Sequence, residues 1–174
     1  MSGAELVLDR SPGWAGILGY LGLWSAIGCL LFSAYVVVVF RTGLVYTARE
    51  QDGTLKGRVP LSGYLNMLVL LLSIVGLQVG ANYVGLACQG LDAGFGGLFL
   101  LNVAHYLLLF LFDTAVIDGL VLGVWRPGFL RLPEAMGAES MKEHIVASLP
   151  VGTLFGVVLA AASTAISYLA WFRG

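Results

Sequence analysis

The chain is 174 residues long, 59% apolar and 11% charged, with 24 glycines and a mean hydropathy of +0.91. Soluble domains carry about 25% charged residues and about 7% glycine, so a globule with this little charge could not cover its own surface. Disorder, collagen and a disulfide scaffold are excluded by the same figures, and a net charge of −1 leaves no basic footprint for nucleic acid. An integral membrane protein remains.

Crossing about 30 Å of hydrocarbon takes roughly 20 predominantly apolar helical residues. The first such segment, 12–40, lies between Arg10 and Arg41. The second, 61–86, follows Arg58 and ends before Asp92. The third, 97–125, is interrupted only by His105, Asp113 and Asp118, and the fourth, 146–172, sits between His144 and Arg173. None alternates as a barrel strand does, so helices are the reading that satisfies the backbone in lipid. The expected architecture is all-α: one four-transmembrane-helix bundle over residues 1–174, with no second domain and no internal repeat.

Basic residues set the expected orientation. The first connection carries Arg41, Arg49, Lys56 and Arg58, the third carries Arg126, Arg131 and Lys142, and the second carries none. The positive-inside bias places the first and third connections in the cytoplasm and both termini outside. Glu5 and Asp9 stand where a signal peptide would be basic, so the first span is expected to remain in the mature protein. Cys29 and Cys88 fall at depths too different for a disulfide and read as small buried residues.

The connection before the fourth span runs Arg126-Pro127-Gly128-Phe129-Leu130-Arg131-Leu132-Pro133. Its alternation predicts a chain along the interface, with Phe129, Leu130 and Leu132 dipped into the membrane and the arginines at headgroup level. Ser140 with Glu143 three residues later has capping-box spacing for the next helix; Ser148 ahead of Pro150 is the alternative start.

Small residues mark expected helix contacts. Gly152, Gly156, Ala160 and Thr164 recur every four residues on the fourth span, Gly76 and Gly80 form a GxxxG on the second, and Gly13, Gly16, Gly19, Gly22 and Gly28 punctuate the first. Such positions let backbones approach closely where lipid supplies no hydrophobic drive. Internal packing is the expected use. Contact with a second copy, giving a homo-oligomer, or with a membrane partner subunit is the other.

Span three departs from what lipid would choose. Asp113 lies near its centre, where a carboxylate costs on the order of 2.5–3.5 kcal/mol unless it finds a partner or water. At about 100° per residue, Asn102, His105 and Asp113 share one stripe and Asp118 falls on another face. Gln78 and Asn82 on span two stand at the depth of Asn102 and His105, and Asn66 approaches from the cytoplasmic end. Asp118 is within expected reach of Arg41 or Arg126. Two uses stay open: interhelical glue with Asp113 protonated, or a polar site that binds or passes a small solute or protons. A non-catalytic subunit or assembly factor is the rival function, and an enzyme acting on a lipid or quinone is a third. There is no CxxC, HExxH or glycine-rich phosphate loop, so no metal and no cofactor are expected. His144 reads as an interfacial residue.

The stretch Leu111-Phe112-Asp113-Thr114-Ala115-Val116-Ile117-Asp118, then Trp125-Arg126-Pro127-Gly128-Phe129 and Leu132-Pro133, resembles a loose group of bacterial four-span membrane proteins. They share an Asp-x4-Asp in the third span and a proline-bracketed loop ending in Leu-Pro. The likeness covers roughly residues 102–152; after Pro133, Glu134-Ala135-Met136 replaces the group's glycine-rich continuation. It implies the four-span architecture and a bacterial inner membrane, and it implies no activity.

Overall fold

The structure is a computed structural model that describes residues 14–47, 57–89, 94–132 and 138–171. Arg10, Gly13, Arg49, Lys56, Asp92, Pro133 to Met136 and Arg173 lie outside the described residues, as do the side chains of Cys88 and Ser140.

Four long helices make up the fold: α1 (Trp14–Thr42), α2 (Leu61–Gln89), α3 (Gly94–Trp125) and α4 (Ala138–Trp171). Each is long and apolar enough to cross a bilayer, and the described residues contain no strand. The protein is therefore a four-helix membrane-spanning bundle. Leu30, Leu61, Leu100, Val124 and Leu154 project outward from the helices, as lipid contact requires.

Local chemistry explains where these helices stop. Gly43 follows α1 at φ 75° and its N–H bonds Phe40 O at 3.2 Å, the left-handed cap that glycine adopts without steric cost. Trp125 is followed by Arg126, also left-handed at φ 48°, whose N–H bonds Val121 O at 2.8 Å. Two features differ from the sequence reading. First, α3 is α-helical only over Gly94–Phe112 and continues as a π-helix over Asp113–Trp125. Second, α4 begins at Ala138, so neither Ser140 nor Ser148 stands at its start and Pro150 lies inside it. Proline is tolerated there because neighbouring helices and hydroxyl side chains re-satisfy freed backbone groups in a membrane bundle. Ser148 Oγ donates to Ile145 O at 3.0 Å on the turn before that proline.

The helices pack as a ring in the order α1, α3, α4, α2, so α1 and α2 meet each other less closely than their chain adjacency suggests. α2 and α4 run in the same direction: residues near their starts line one cavity, and Tyr83 and Trp171 meet near their ends as a tilted ring pair with centroids 5.2 Å apart. At Gly152 and Gly156 an added β-carbon would overlap the rings of Phe110 and Tyr106. The small ridge of α4 is thus the seat of two α3 aromatics, and Ala160 above it is wholly buried. Gly76 and Gly80 differ, since nothing lies within 4 Å of where their β-carbons would stand.

The loop-bearing end is closed by Val36, Phe40, Ile117, Leu122, Leu130 and Met141. Leu130 therefore does not dip into the membrane; it is 1% exposed and plugs the protein's own core, while Phe129 stays half exposed. A short 3-10 turn at Gly128–Leu130 aims it inward, and Leu132 packs against the same cluster. Leu130→Ala is expected to cost about 2–5 kcal/mol, the usual range for emptying a packed leucine site. Thermal unfolding in detergent checks this; Phe129→Ala at the exposed neighbour serves as the control with little effect.

Candidate functional site

The polar residues of the membrane region sort into two groups at different depths. The first is a set of buried crosslinks in the half of the bundle away from the 43–60 and 126–137 connections. Tyr20 on α1 donates to Asn82 Oδ1 on α2 at 3.3 Å, and Asn82 Nδ2 donates to Ser167 Oγ on α4 at 2.9 Å. One turn inward, Gln78 Nε2 donates to the Asn102 carbonyl of α3 at 2.9 Å, and Asn102 Nδ2 donates to Thr164 Oγ1 of α4 at 2.9 Å. Thr164 and Ser167 pass their own protons to the Ala160 and Ser163 carbonyls at 2.7 and 2.8 Å. These bonds tie all four helices, and interhelical bonds of this kind contribute about 0.6 kcal/mol each in a membrane bundle.

His105 belongs to this half. Its imidazole is 4% exposed, the Trp24 backbone carbonyl is a hydrogen-bond partner, and Nε2 lies against α1 where Gly28 leaves room. A β-carbon at Gly28 would stand 3.4 Å from Nε2 and 3.0 Å from Leu77 Cδ2. Here the missing side chain admits the imidazole.

The second group lines a cavity of about 260 Å³ in the loop-bearing half. Its walls come from α1 (Tyr35, Phe40), α2 (Asn66), α3 (Asp113, Asp118) and α4 (His144). His144 Nε2 stands 3.6 Å from Asp118 Oδ2, an ion pair when the imidazole is protonated, and both side chains are mostly buried. Tyr35 OH donates to Asn66 Oδ1 at 3.0 Å across the α1–α2 gap. Apolar side chains, among them Phe32, Val36, Ile117 and Met141, complete the lining.

Backbone geometry explains why Asp113 and Asp118 share this wall. A π-helix closes its hydrogen bonds from residue i to residue i+5, so residues five apart share a face, much as residues four apart do in an α-helix. Asp113 and Asp118 have that spacing and lie in the π segment. The tightness of the stack shows at Gly119, where a β-carbon would come within 3.3 Å of the carbonyl of Thr114. The π turn thus unites two carboxylates that an α-helix would set on separate faces.

No family model, no curated protein and no solved structure matches the chain. Its function has to be argued from the residues.

The stripe read from sequence divides. Gln78, Asn82, Asn102 and His105 are assembled in the half of the bundle away from the cavity, whereas Asp113 lies in the cavity with Asp118. His144 is the close ionic neighbour of Asp118; Arg41 is exposed at the end of α1, and Arg126 occupies the left-handed position that ends α3. Residues that sequence reasoning missed are His144 and Tyr35 in the cavity, and the α4 hydroxyls Ser163, Thr164 and Ser167 as polar partners. The signal for His144 was present: with α4 begun at Ala138, residue 144 already lies within the span. Among the described residues no group of three or more His, Cys, Asp or Glu is disposed to hold a metal.

Proposed function

We propose that the protein binds a small organic monocation in the Asp113–Asp118–His144 cavity and exchanges it for protons. The observation that carries this reading is the pair of carboxylates on one wall of a half-open, mainly apolar cavity. Its volume lies below the roughly 300–1,000 Å³ of drug-sized ligand sites, which favours a solute of few heavy atoms. Ionisable groups at such depth are costly and mark substrate and proton pathways in membrane proteins. A cation entering the cavity favours the ionised carboxylates and so displaces their protons.

The excess of Arg and Lys in the first and third connections supports a cytoplasmic mouth for the cavity, both termini outside, and residence in a bacterial inner membrane. Methylammonium is the simplest probe. Purified protein in nanodiscs should bind it and release protons in an unbuffered solution, and the double variant Asp113→Asn with Asp118→Asn should do neither. Equal binding by the wild type and the double variant overturns the reading.

The open Gly76–Gly80 face of α2 supports a second reading, in which the bundle works as a homo-oligomer or as a subunit of a larger membrane assembly. Isoleucine at both positions would then change the crosslinked size in membranes and leave methylammonium binding intact.

A further inference from the structure

In the outer half, five buried side-chain atoms have no hydrogen-bond partner among the described residues: Trp24 Nε1, Ser25 Oγ, Gln78 Oε1, His105 Nε2 and Ser163 Oγ. Leaving buried donors and acceptors unpaired is costly, and native proteins leave few of them. Here they are gathered at one depth, with every helix contributing.

The helix registers show this. Asn82 bonds Ser167, and Gln78 and Ser163 stand four residues earlier on the same two helices, which run in the same direction. The orphan amide oxygen and the orphan hydroxyl therefore lie at one level, one turn inward from a bonded pair. On the other side His105 Nε2 abuts Gly28, and Ser25 precedes Gly28 by the same three residues by which Asn102 precedes His105. At 1.5 Å per residue the four groups span a slab only ~5 Å thick. Ser25, Gln78, His105 and Ser163 are 7%, 1%, 4% and 0% exposed, so no large solute reaches them.

We propose that this layer is an internal water site, and that water bound there, together with His105, carries protons between the outer face and the Asp113 cavity. Its chemistry is uncharged and mixed: an indole N–H and two hydroxyls can donate, while the amide oxygen and the hydroxyls can accept. A buried water makes about three hydrogen bonds to such groups, and a few waters satisfy all five atoms. Leu77 and Leu109 lie beside the imidazole, and His105 and Asp113 stand eight residues apart on α3, about 12 Å along its axis, so the route crosses an apolar stretch that admits a proton-carrying water and excludes the organic cation. The hydration stands on the orphan atoms alone; the proton route also rests on the reading of the cavity given above.

Two measurements test it. In bilayers, water-edited NMR on 15N-histidine protein should transfer magnetisation from water to His105 Nε2, and Ser163→Ala and Ser25→Ala should each lower the melting temperature because they strip a partner from bound water. A dry layer gives the opposite: no transfer, and a melting temperature that rises when an unpaired hydroxyl is removed. In liposomes loaded with a pH dye, His105→Leu should reduce proton flux at least tenfold while methylammonium binding at the cavity persists. Wild-type flux in His105→Leu overturns the proton route. Loss of methylammonium binding only in the Asp113 variant, with flux untouched in both, overturns the route and spares the cavity. Unchanged binding in the Asp113 and Asp118 variants overturns the cavity and leaves the hydration result to stand by itself.

Discussion

Gly156→Ala lowers the melting temperature of the bundle by roughly 2–12 °C, while Gly80→Ala leaves it unchanged or slightly raised. Both glycines sit in small-xxx-small patterns, and both would gain up to about 1 kcal/mol of helix propensity from alanine. Their surroundings decide the sign. A β-carbon at Gly156 falls on the ring of Tyr106, and the neighbouring Gly152 is covered by Phe110. The Tyr106 ring has little freedom to retreat: its hydroxyl donates to Gly152 O at 2.9 Å and its face stacks on Phe110 with centroids 6.0 Å apart. Either the helices separate or the tyrosine gives up that bond, and overpacking of this kind costs about 1–3 kcal/mol. For a chain of 150–250 residues each kcal/mol moves the midpoint by about 2–4 °C. At Gly80 nothing stands within 4 Å, so the added methyl meets lipid. Thermal unfolding of both variants in one detergent checks the contrast. Equal effects at the two sites would mean that α3 does not seat on α4 as described.

That contrast bears on what the sequence could reveal. Charge-free length reveals four spans because the bilayer imposes one coarse constraint, and the structure has four helices long and apolar enough to meet it. The apolar run of the fourth span stops at Lys142, Glu143 and His144, whereas α4 continues past them to Ala138, two residues before the capping-box start at Ser140. Small residues were legible as contact formers, but which ridge faces inward depends on the ring order of the helices, and no residue in α2 or α4 encodes that order by itself. Leu130 illustrates the same limit: an apolar residue beside two arginines fits a lipid-facing loop or a core plug equally well until Val36, Phe40 and Met141 are placed around it.

The site was harder. Asn102, His105, Gln78 and Asn82 were recognisable as polar groups at one depth because α-helical geometry holds through Phe112. Beyond that residue the backbone changes period. Advancing 100° per residue puts Asp118 on a different face from Asp113, and the π-helix reduces that separation because its i to i+5 bonding takes more residues to complete a turn. Asp-x4-Asp is therefore the sequence trace of the carboxylate pair, legible only to a reader who already knows that the helix is π from Asp113 onward. Nothing in the residues Asp113–Trp125 announces the change, so the pairing of carboxylates had to come from the fold.

On the proposed reading of the cavity, Asp113→Asn is expected to weaken methylammonium binding by roughly 10- to 150-fold. Bonds to charged partners contribute about 1.5–3 kcal/mol each, and a tenfold change corresponds to about 1.4 kcal/mol. The amide keeps the size and the hydrogen-bonding capacity of the carboxyl, so a loss of this order reports charge and not packing. The two aspartates differ in company. Asp118 stands 3.6 Å from His144 Nε2, so in the Asp118→Asn variant a protonated His144 loses its counter-charge and faces the incoming cation with like charge, adding repulsion to the missing attraction. Pairing Asp118→Asn with His144→Ala removes both at once and should recover part of the affinity lost in Asp118→Asn, whereas adding His144→Ala to Asp113→Asn should recover none. Isothermal titration of the wild type, the three single variants and the two double variants at one pH measures both cycles. Additive losses in both would separate His144 from the binding event and reduce the imidazole to a brace for α4.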